Sequence, residues 1–359
     1  MRRLTPVALL GTAALLISCQ MLAPAPTMRT PQQTALTTFN TNTPVTDGGE
    51  DEWTHQGNDF ATGSFAGTEL RPDGSLAALT GVPQGTFLSA PRQIAFAFNA
   101  FMAGWQNTPA QGRLEVAARV SSDNRTWSPF FPLSPEKSVV LPQQARWIQY
   151  RLVLSGRDTR LNGITFQFGY EKPRTSPVET FAPVTVPKPR MMTREQWQAA
   201  PPKGEFTPHT PNAIVLHHTW KPDRAAYKGA NTIRGIQRYH QTDNKWTDIG
   251  YHYLIGPEGI IYQGRPDNVI GSHAVPNTNK IGISVVGDYD PGKDALTPES
   301  YEALVSLMTW LTATYGISTN EFYGHRDFSP KTCPGDTIYS RMPDIKREVA
   351  RRLSLAGRR

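Results

Sequence analysis

Cysteine is almost missing from this chain: its 359 residues hold two, Cys19 and Cys333. Each has a separate explanation below, so no disulfide framework need be invoked. After residue 19 there is no apolar run long enough to span a bilayer, so membrane contact of the body of the chain is expected through lipid only. Charge of one sign is also scarce. The formal net charge is +7, and no basic stripe interleaved with aromatics is present, which excludes a nucleic-acid partner. The basic tail at 341–359, with Arg341, Lys346, Arg347, Arg351, Arg352, Arg358 and Arg359, reads most simply as the last turns of a C-terminal helix, whose dipole favours cations, with a weak attraction to an anionic surface as the alternative. No pair of carboxylates is marked out by its setting, which argues against a glycosidase of the two-carboxylate kind such as a muramidase.

The start of the chain is distinctive. Residues 1–19, MRRLTPVALLGTAALLISC, join Arg2 and Arg3 to an apolar stretch with the proportions of a secretory signal. The ending Leu16-Ile17-Ser18-Cys19 resembles the lipobox of bacterial lipoproteins, which implies acylation of Cys19, a lipid anchor and export to the cell envelope. Residues 20–50 are rich in Thr, Pro and Gln and bury too little apolar surface to fold alone. As a tether they have a coil dimension of about 30 Å and a stretched length of about 100 Å.

From 51 to 172 apolar residues alternate with period two. The runs are Ile94, Phe96, Phe98; Leu114, Val116, Ala118, Val120; Ile148, Tyr150, Leu152, Leu154; and Ile164, Phe166, Phe168, Tyr170. This predicts an all-β sandwich with one buried face per strand, in layout similar to the jelly rolls that often accompany wall enzymes. Trp105 and Trp127 are more simply core fillers than platforms for sugar rings. Residues 173–190 carry five prolines and read as a semi-rigid linker. Beyond it the pattern changes. A helix is predicted behind Thr193, strands at 213–218, 250–256 and 281–287, and helices at 231–242, 298–315 and 343–354. Strands interleaved with helices predict a mixed central sheet flanked by helices over 191–359.

Seven of the eight histidines lie in this second half, and there the chemistry concentrates. His325 and Cys333 share one loop, GHRDFSPKTCPG, in which Gly324 and Gly335 permit turns and Pro330 and Pro334 stiffen the path. Upstream, AIVLHHT reads as a strand ending in His217-His218. Successive side chains on a strand face opposite ways, so one of the pair can join the loop ligands, and the pattern does not say which. Two imidazoles and a thiolate leave a fourth zinc position open for water, as catalytic sites do. A free cysteine in an oxidising compartment, eight residues from a histidine, is hard to explain otherwise.

AIVLHHT, IRGIQRYHQTDNKWTDIGYHYLIGPEGIIYQGR, GSHAVPNTNKIGISVVGD and GHRDFSPKTCPG, in that order and spacing, resemble the zinc-dependent N-acetylmuramoyl-L-alanine amidases of type 2. That family includes phage amidase lysozymes and animal peptidoglycan recognition proteins. The likeness runs from 191 to about 340. It implies a peptidoglycan substrate and a Zn2+ site of His217, His325 and Cys333, with His218 as a packing or supporting neighbour. It puts Tyr251 and Lys331 at the catalytic positions and makes His273, Asn277 and Arg265 candidate substrate contacts. Amide hydrolysis needs a nucleophile at neutral pH, and zinc lowers the pKa of its bound water from about 16 to about 7. It also needs donors for a developing oxyanion, which a phenol and an ammonium can supply. His240 and His252 are expected to be structural, and Asp327 to orient a ligand or start a turn. Ser284 stands where some relatives carry Glu. Gly264-Arg265-Pro266-Asp267-Asn268 departs from the GRGWN of others, a loop tied to stem-peptide recognition. A non-catalytic wall-binding protein is the alternative, and Cys333 argues against it.

Overall fold

A computed structural model describes residues 51–107, 112–156, 159–172 and 184–357. The signal segment 1–19 with Cys19, the tether 20–50 and most of the linker 173–190 lie outside the described residues.

The first half is all β. Its strands are β1 (Glu52–Gln56), β2 (Ser64–Ala66), β3 (Thr68–Leu70), β4 (Leu76–Ala78), β5 (Gln84–Leu88), β6 (Arg92–Asn107), β7 (Arg113–Ser121), β8 (Phe131–Pro132), β9 (Val139–Ser155) and β10 (Arg160–Gly169). All pair antiparallel in one hydrogen-bonded network of ten strands, in which the long β9 pairs with β5, β6 and β7 and the long β6 with β9 and β10. The all-β character expected of 51–172 is present, with the strands joined in a single hydrogen-bonded network. Phe98, Phe101, Tyr150, Phe166 and Phe168 fill its core. Trp105 packs against that core, and Trp127 lies under the Arg119 guanidinium, 4.9 Å from its ring centre. Period two is clearest on β7. On β6 the residues facing away from the core, Ala100 and Met102, are buried as well, because they meet Trp246 and Val275 of the second half.

The second half carries a six-stranded sheet. Its strands are β11 (Met191–Met192), β12 (Ala213–His218), β13 (Tyr253–Ile255), β14 (Ile261–Gln263), β15 (Lys280–Val285) and β16 (Phe322–Gly324), in the order β11-β14-β13-β15-β12-β16. β13 and β14 pair antiparallel and the other pairs are parallel, so the sheet is mixed. β12 lies between β15 and β16, and all six of its residues are buried. A strand covered on both faces reads as a continuous apolar run, which is why AIVL shows no alternation.

The sheet's faces are covered by α1 (Ala230–Thr242), α2 (Pro298–Tyr315) and α4 (Met342–Ala356), with a short α3 (Asp336–Tyr339). Ile214, Leu216, Ile281 and Ile283 pack with Leu304 and Met308 of α2 and Ile345 and Val349 of α4. Leu254, on the other face of β13, packs with Ile233 and Ile236 of α1 and with Trp197. α2 begins where Thr297 Oγ1 accepts the Ser300 N–H, with Pro298 in its first turn, and ends at Gly316 with φ 65°. These are ordinary start and stop signals.

The helix expected behind Thr193 is a single turn. Thr193 Oγ1 does accept the Gln196 N–H, but Gln198 adopts φ 60°, and Pro201-Pro202 cannot continue a helix.

Candidate metal centre and cleft

Strand register brings the cluster together. Leu216 of β12 pairs with Gly324 of β16, so the residues that follow, His217 and His325, emerge side by side at the C-terminal ends of parallel strands, with ring centres 4.6 Å apart. The alternation left open by the sequence is resolved by β12: His218 shares the face of Ile214 and Leu216, and its Nδ1 accepts the Tyr289 N–H at 3.1 Å. His217 shares the opposite face with Val215, which packs on Ala274 and Phe328. The Cys333 loop returns over that face, and the ligand atoms of His217, His325 and Cys333 all lie within 4.8 Å of one another.

The donor set fits zinc. Cys333 is in no disulfide among the described residues and is 4% exposed. Its Sγ lies 3.6 Å from His217 Nδ1, the separation of two tetrahedral ligands with bonds of about 2.3 Å to sulfur and about 2.0 Å to nitrogen. Burial first, then neighbouring charges, holds the pKa of His217 and of His325 well below the usual histidine range, so both imidazoles are neutral. Neutral imidazoles have lone pairs to give.

His273 sets the tautomer of His217. Its Nε2 faces the Lys280 carbonyl at 3.4 Å, and its Nδ1 lies 3.0 Å from His217 Nε2. If each Nε2 donates, His217 Nδ1 is left as the lone pair toward Cys333, an arrangement typical of the second layer around a metal. The ring lies flat over β15 because Gly282 has no side chain: a Cβ there would fall 2.4 Å from His273 Cγ. A second group, His218, Asp288 and Asp290, also has its ligand atoms within 4.8 Å of one another, with His218 anchored as described.

A cleft of about 710 Å³ opens beside the cluster. Tyr251, His273, His325, Lys331 and Cys333 line it, together with Glu52 and Gln167 from the all-β half. The Tyr251 ring centre is 5.3 Å from that of His217. Arg265 and Asn277, expected to touch substrate, are not among the lining residues, because both are consumed inside the protein. All five Arg265 N–H groups are engaged, by the carbonyls of Ile249, Ile270 and Asp248, by Ser272 Oγ and by Glu136 Oε2 at 2.6 Å. Asn277 Oδ1 accepts the N–H groups of His273 and Ala274, and its Nδ2 meets Met102 Sδ. Their burial comes from Glu136 and Met102 of the other half, for which no local sequence signal exists.

The remaining expected residues are structural in their contacts. His240 Nδ1 accepts the Gly250 N–H, and His252 spans Gly282 N–H and the Val269 carbonyl. Burial pushes each down to about 3. Asp327 Oδ2 accepts the Gly324 N–H, starting the turn that carries His325, and its other oxygen takes Lys172 and Tyr339. Asp267, in the loop that departs from GRGWN, accepts the hydroxyls of Tyr253 and Tyr315 and borders a separate cavity of about 270 Å³.

A mixed α/β sheet thus gathers two imidazoles and a thiol, a set that could hold a metal ion, at the ends of parallel strands. Comparison with known proteins gives its kinship. The family described as N-acetylmuramoyl-L-alanine amidase matches residues 207–336. Peptidoglycan-recognition protein SD of Drosophila simulans is 30% identical over 156 residues, 42% of this chain and 82% of that protein. Peptidoglycan-recognition protein LB of Drosophila melanogaster is 31% identical over 159 residues, 42% of this chain and 66% of that protein. Among solved structures, the N-acetylmuramoyl-L-alanine amidase LysC from Clostridium intestinale URNW is 28% identical, covering 45% of this chain and 99% of that one at a TM-score of 0.39. The chain belongs to the type 2 amidase and peptidoglycan recognition protein family.

Proposed function

We propose that this protein is a zinc-dependent N-acetylmuramoyl-L-alanine amidase, which cleaves the amide between the lactyl group of N-acetylmuramic acid and L-alanine in peptidoglycan. The observation that carries the reading is the cluster of His217, His325 and Cys333 beside a cleft that Tyr251 and Lys331 also line. Zinc held by these three would supply the Lewis acidity that makes water a nucleophile near neutral pH. The chain's own groups do the rest. Tyr251 Oη and Lys331 Nζ donate to the carbonyl oxygen as negative charge develops on it, each worth on the order of a hundredfold in rate. His273 holds the His217 imidazole with its Nδ1 lone pair toward the cluster, and the Gly324 turn, closed by Asp327, holds His325.

The test is digestion of purified sacculi by the wild type and by Cys333→Ser, with and without a chelator. New L-alanine amino termini, abolished by the chelator and absent with Cys333→Ser, support the amidase. New reducing ends indicate a glycosidase, and binding without new termini makes the protein a recognition module.

The proposal extends to the rest of the chain: an export signal at 1–19 with Cys19 acylated, a tether at 20–50, a sandwich-like domain at 51–172 and a linker at 173–190 before the amidase domain at 191–359. It places the protein in the cell envelope. No helix among the described residues is long and apolar enough to cross a membrane. Labelling with a fatty-acid analogue should mark the wild type and not Cys19→Ala; an exported but unlabelled wild type would leave a plain signal peptide.

A further inference from the structure

The cleft has a wall that comes from the all-β half. Asp51 stands just before β1, and its carbonyl accepts the Phe168 N–H at 2.8 Å, which ties it to β10. Its carboxylate is 6% exposed, and Oδ1 lies 2.9 Å from Nζ of Lys331. That buried oxygen makes no well-angled hydrogen bond among the described residues, so the contact is one of charge, and the ammonium offsets a carboxylate otherwise costly to bury. The next residue, Glu52, pairs across β1 and β10 with Gln167, whose Nε2 donates to Glu52 Oε2 at 3.1 Å, and both line the cleft.

We infer that Asp51 is a positioning residue for Lys331: the all-β half supplies the carboxylate that holds the ammonium in place in the amidase cleft. The inference rests on the amidase reading above. A lysine ammonium ends a flexible four-carbon stem, and a misplacement of about 1 Å at a reacting centre can cost about a hundredfold in rate. Asp51 can restrain it only if the two halves are themselves fixed together, and they are. Tyr170 N–H donates to the Phe328 carbonyl at 2.7 Å, and Lys172 Nζ contacts Asp327 Oδ1 at 2.7 Å. Phe328 and Asp327 belong to the same loop as His325, Lys331 and Cys333. At Gly169 a Cβ would fall 2.5 Å from the Val275 carbonyl oxygen, so the two backbones approach as closely as a glycine allows. The loop that presents Lys331 is therefore braced by the end of β10, the strand to which the Asp51 backbone is tied.

The test is steady-state hydrolysis of a soluble muropeptide by the full mature chain, comparing wild type, Asp51→Asn, Asp51→Glu, Lys331→Ala and the Asp51→Asn, Lys331→Ala double variant, with zinc content measured for each. Asp51→Asn keeps shape and removes charge. Its kcat should fall about tenfold or more with KM within about twofold, zinc unchanged, and Asp51→Glu should recover part of the loss. In the Lys331→Ala background the same substitution should cost less than about twofold, because partners that act as a unit are not additive. A wild-type or raised kcat in Asp51→Asn overturns the inference while leaving the amidase intact. So does a loss that persists in full in the Lys331→Ala background, which is the mark of a merely structural role. A wild type that releases no L-alanine amino termini overturns the amidase reading, and this inference with it.

Discussion

Nε2 of His217 lies 3.0 Å from Nδ1 of His273, and His273 in turn points its Nε2 at the Lys280 carbonyl. A backbone carbonyl accepts and never donates, so the direction of this relay is set from the Lys280 end. The imidazole of His217 is thereby held in one tautomer by the protein's own groups. His273→Ala should weaken zinc binding by about 10- to 100-fold, the usual effect of removing such a support, while the fold persists. Competition with a chelator of known affinity measures it. An unchanged affinity would show that the relay is packing alone.

The two halves share a buried ion pair. Arg265 Nη1 meets Glu136 Oε2 at 2.6 Å, and the other Glu136 oxygen accepts the Thr247 N–H. Removing one member leaves the other charged and buried, so Glu136→Gln should destabilise the protein by about 3 to 5 kcal/mol. Arg265→Met with Glu136→Met should cost much less than the sum of the single changes, since no stranded charge remains. Urea denaturation of Glu136→Gln, of each single methionine variant and of the double variant checks both statements.

How much of this was legible in the sequence follows from how far each feature depends on its neighbours along the chain. α1, α2 and β12 lie within a residue or so of their expected limits, because helix start and stop signals and a continuous apolar run are local. β11, β14 and β16, of two or three residues each, are too short to show a period. The single turn at 193–198 looked like a helix because the positive φ of Gln198 leaves no mark in the pattern. His325 and Cys333 were readable from one loop, and the choice of His217 needed the family resemblance, then the facing of β12. Asp51, Glu52, Glu136 and Gln167 were invisible as cleft or interface residues. Their roles come from contacts between segments more than a hundred residues apart, which also bury Arg265 and Asn277.

Acid should destabilise the protein through its buried histidines. Burial lowers His240 and His252 to about 3 in the folded chain, against about 6.5 when unfolded. The unfolded chain therefore binds more protons between these values. Stability from the two groups is fully present above about pH 6.5 and is lost as pH falls toward 3, by up to about 1.4 kcal/mol per pH unit for each. Melting temperatures between pH 7.5 and 4.5 should fall on the acid side only. His240→Gln should show a shallower fall than the wild type, and an equal slope would show that this histidine does not titrate with unfolding.

Tyr251 separates the chemical step from metal binding. Its ring lies beside that of His217 and it lines the cleft, yet it is not one of the three clustered donors. Tyr251→Phe removes one hydroxyl and keeps the ring, so zinc content and melting temperature should stay near wild type. If the hydroxyl donates only to the oxyanion, kcat and kcat/KM should fall together, by on the order of a hundredfold. A rise in KM with kcat unchanged would instead make Tyr251 a uniform substrate contact. The comparison with Lys331→Ala sharpens the result. Two donors aimed at the same oxygen should each cost less when the other is already gone, whereas a tyrosine that serves only to pack His217 would add its full effect to the lysine's.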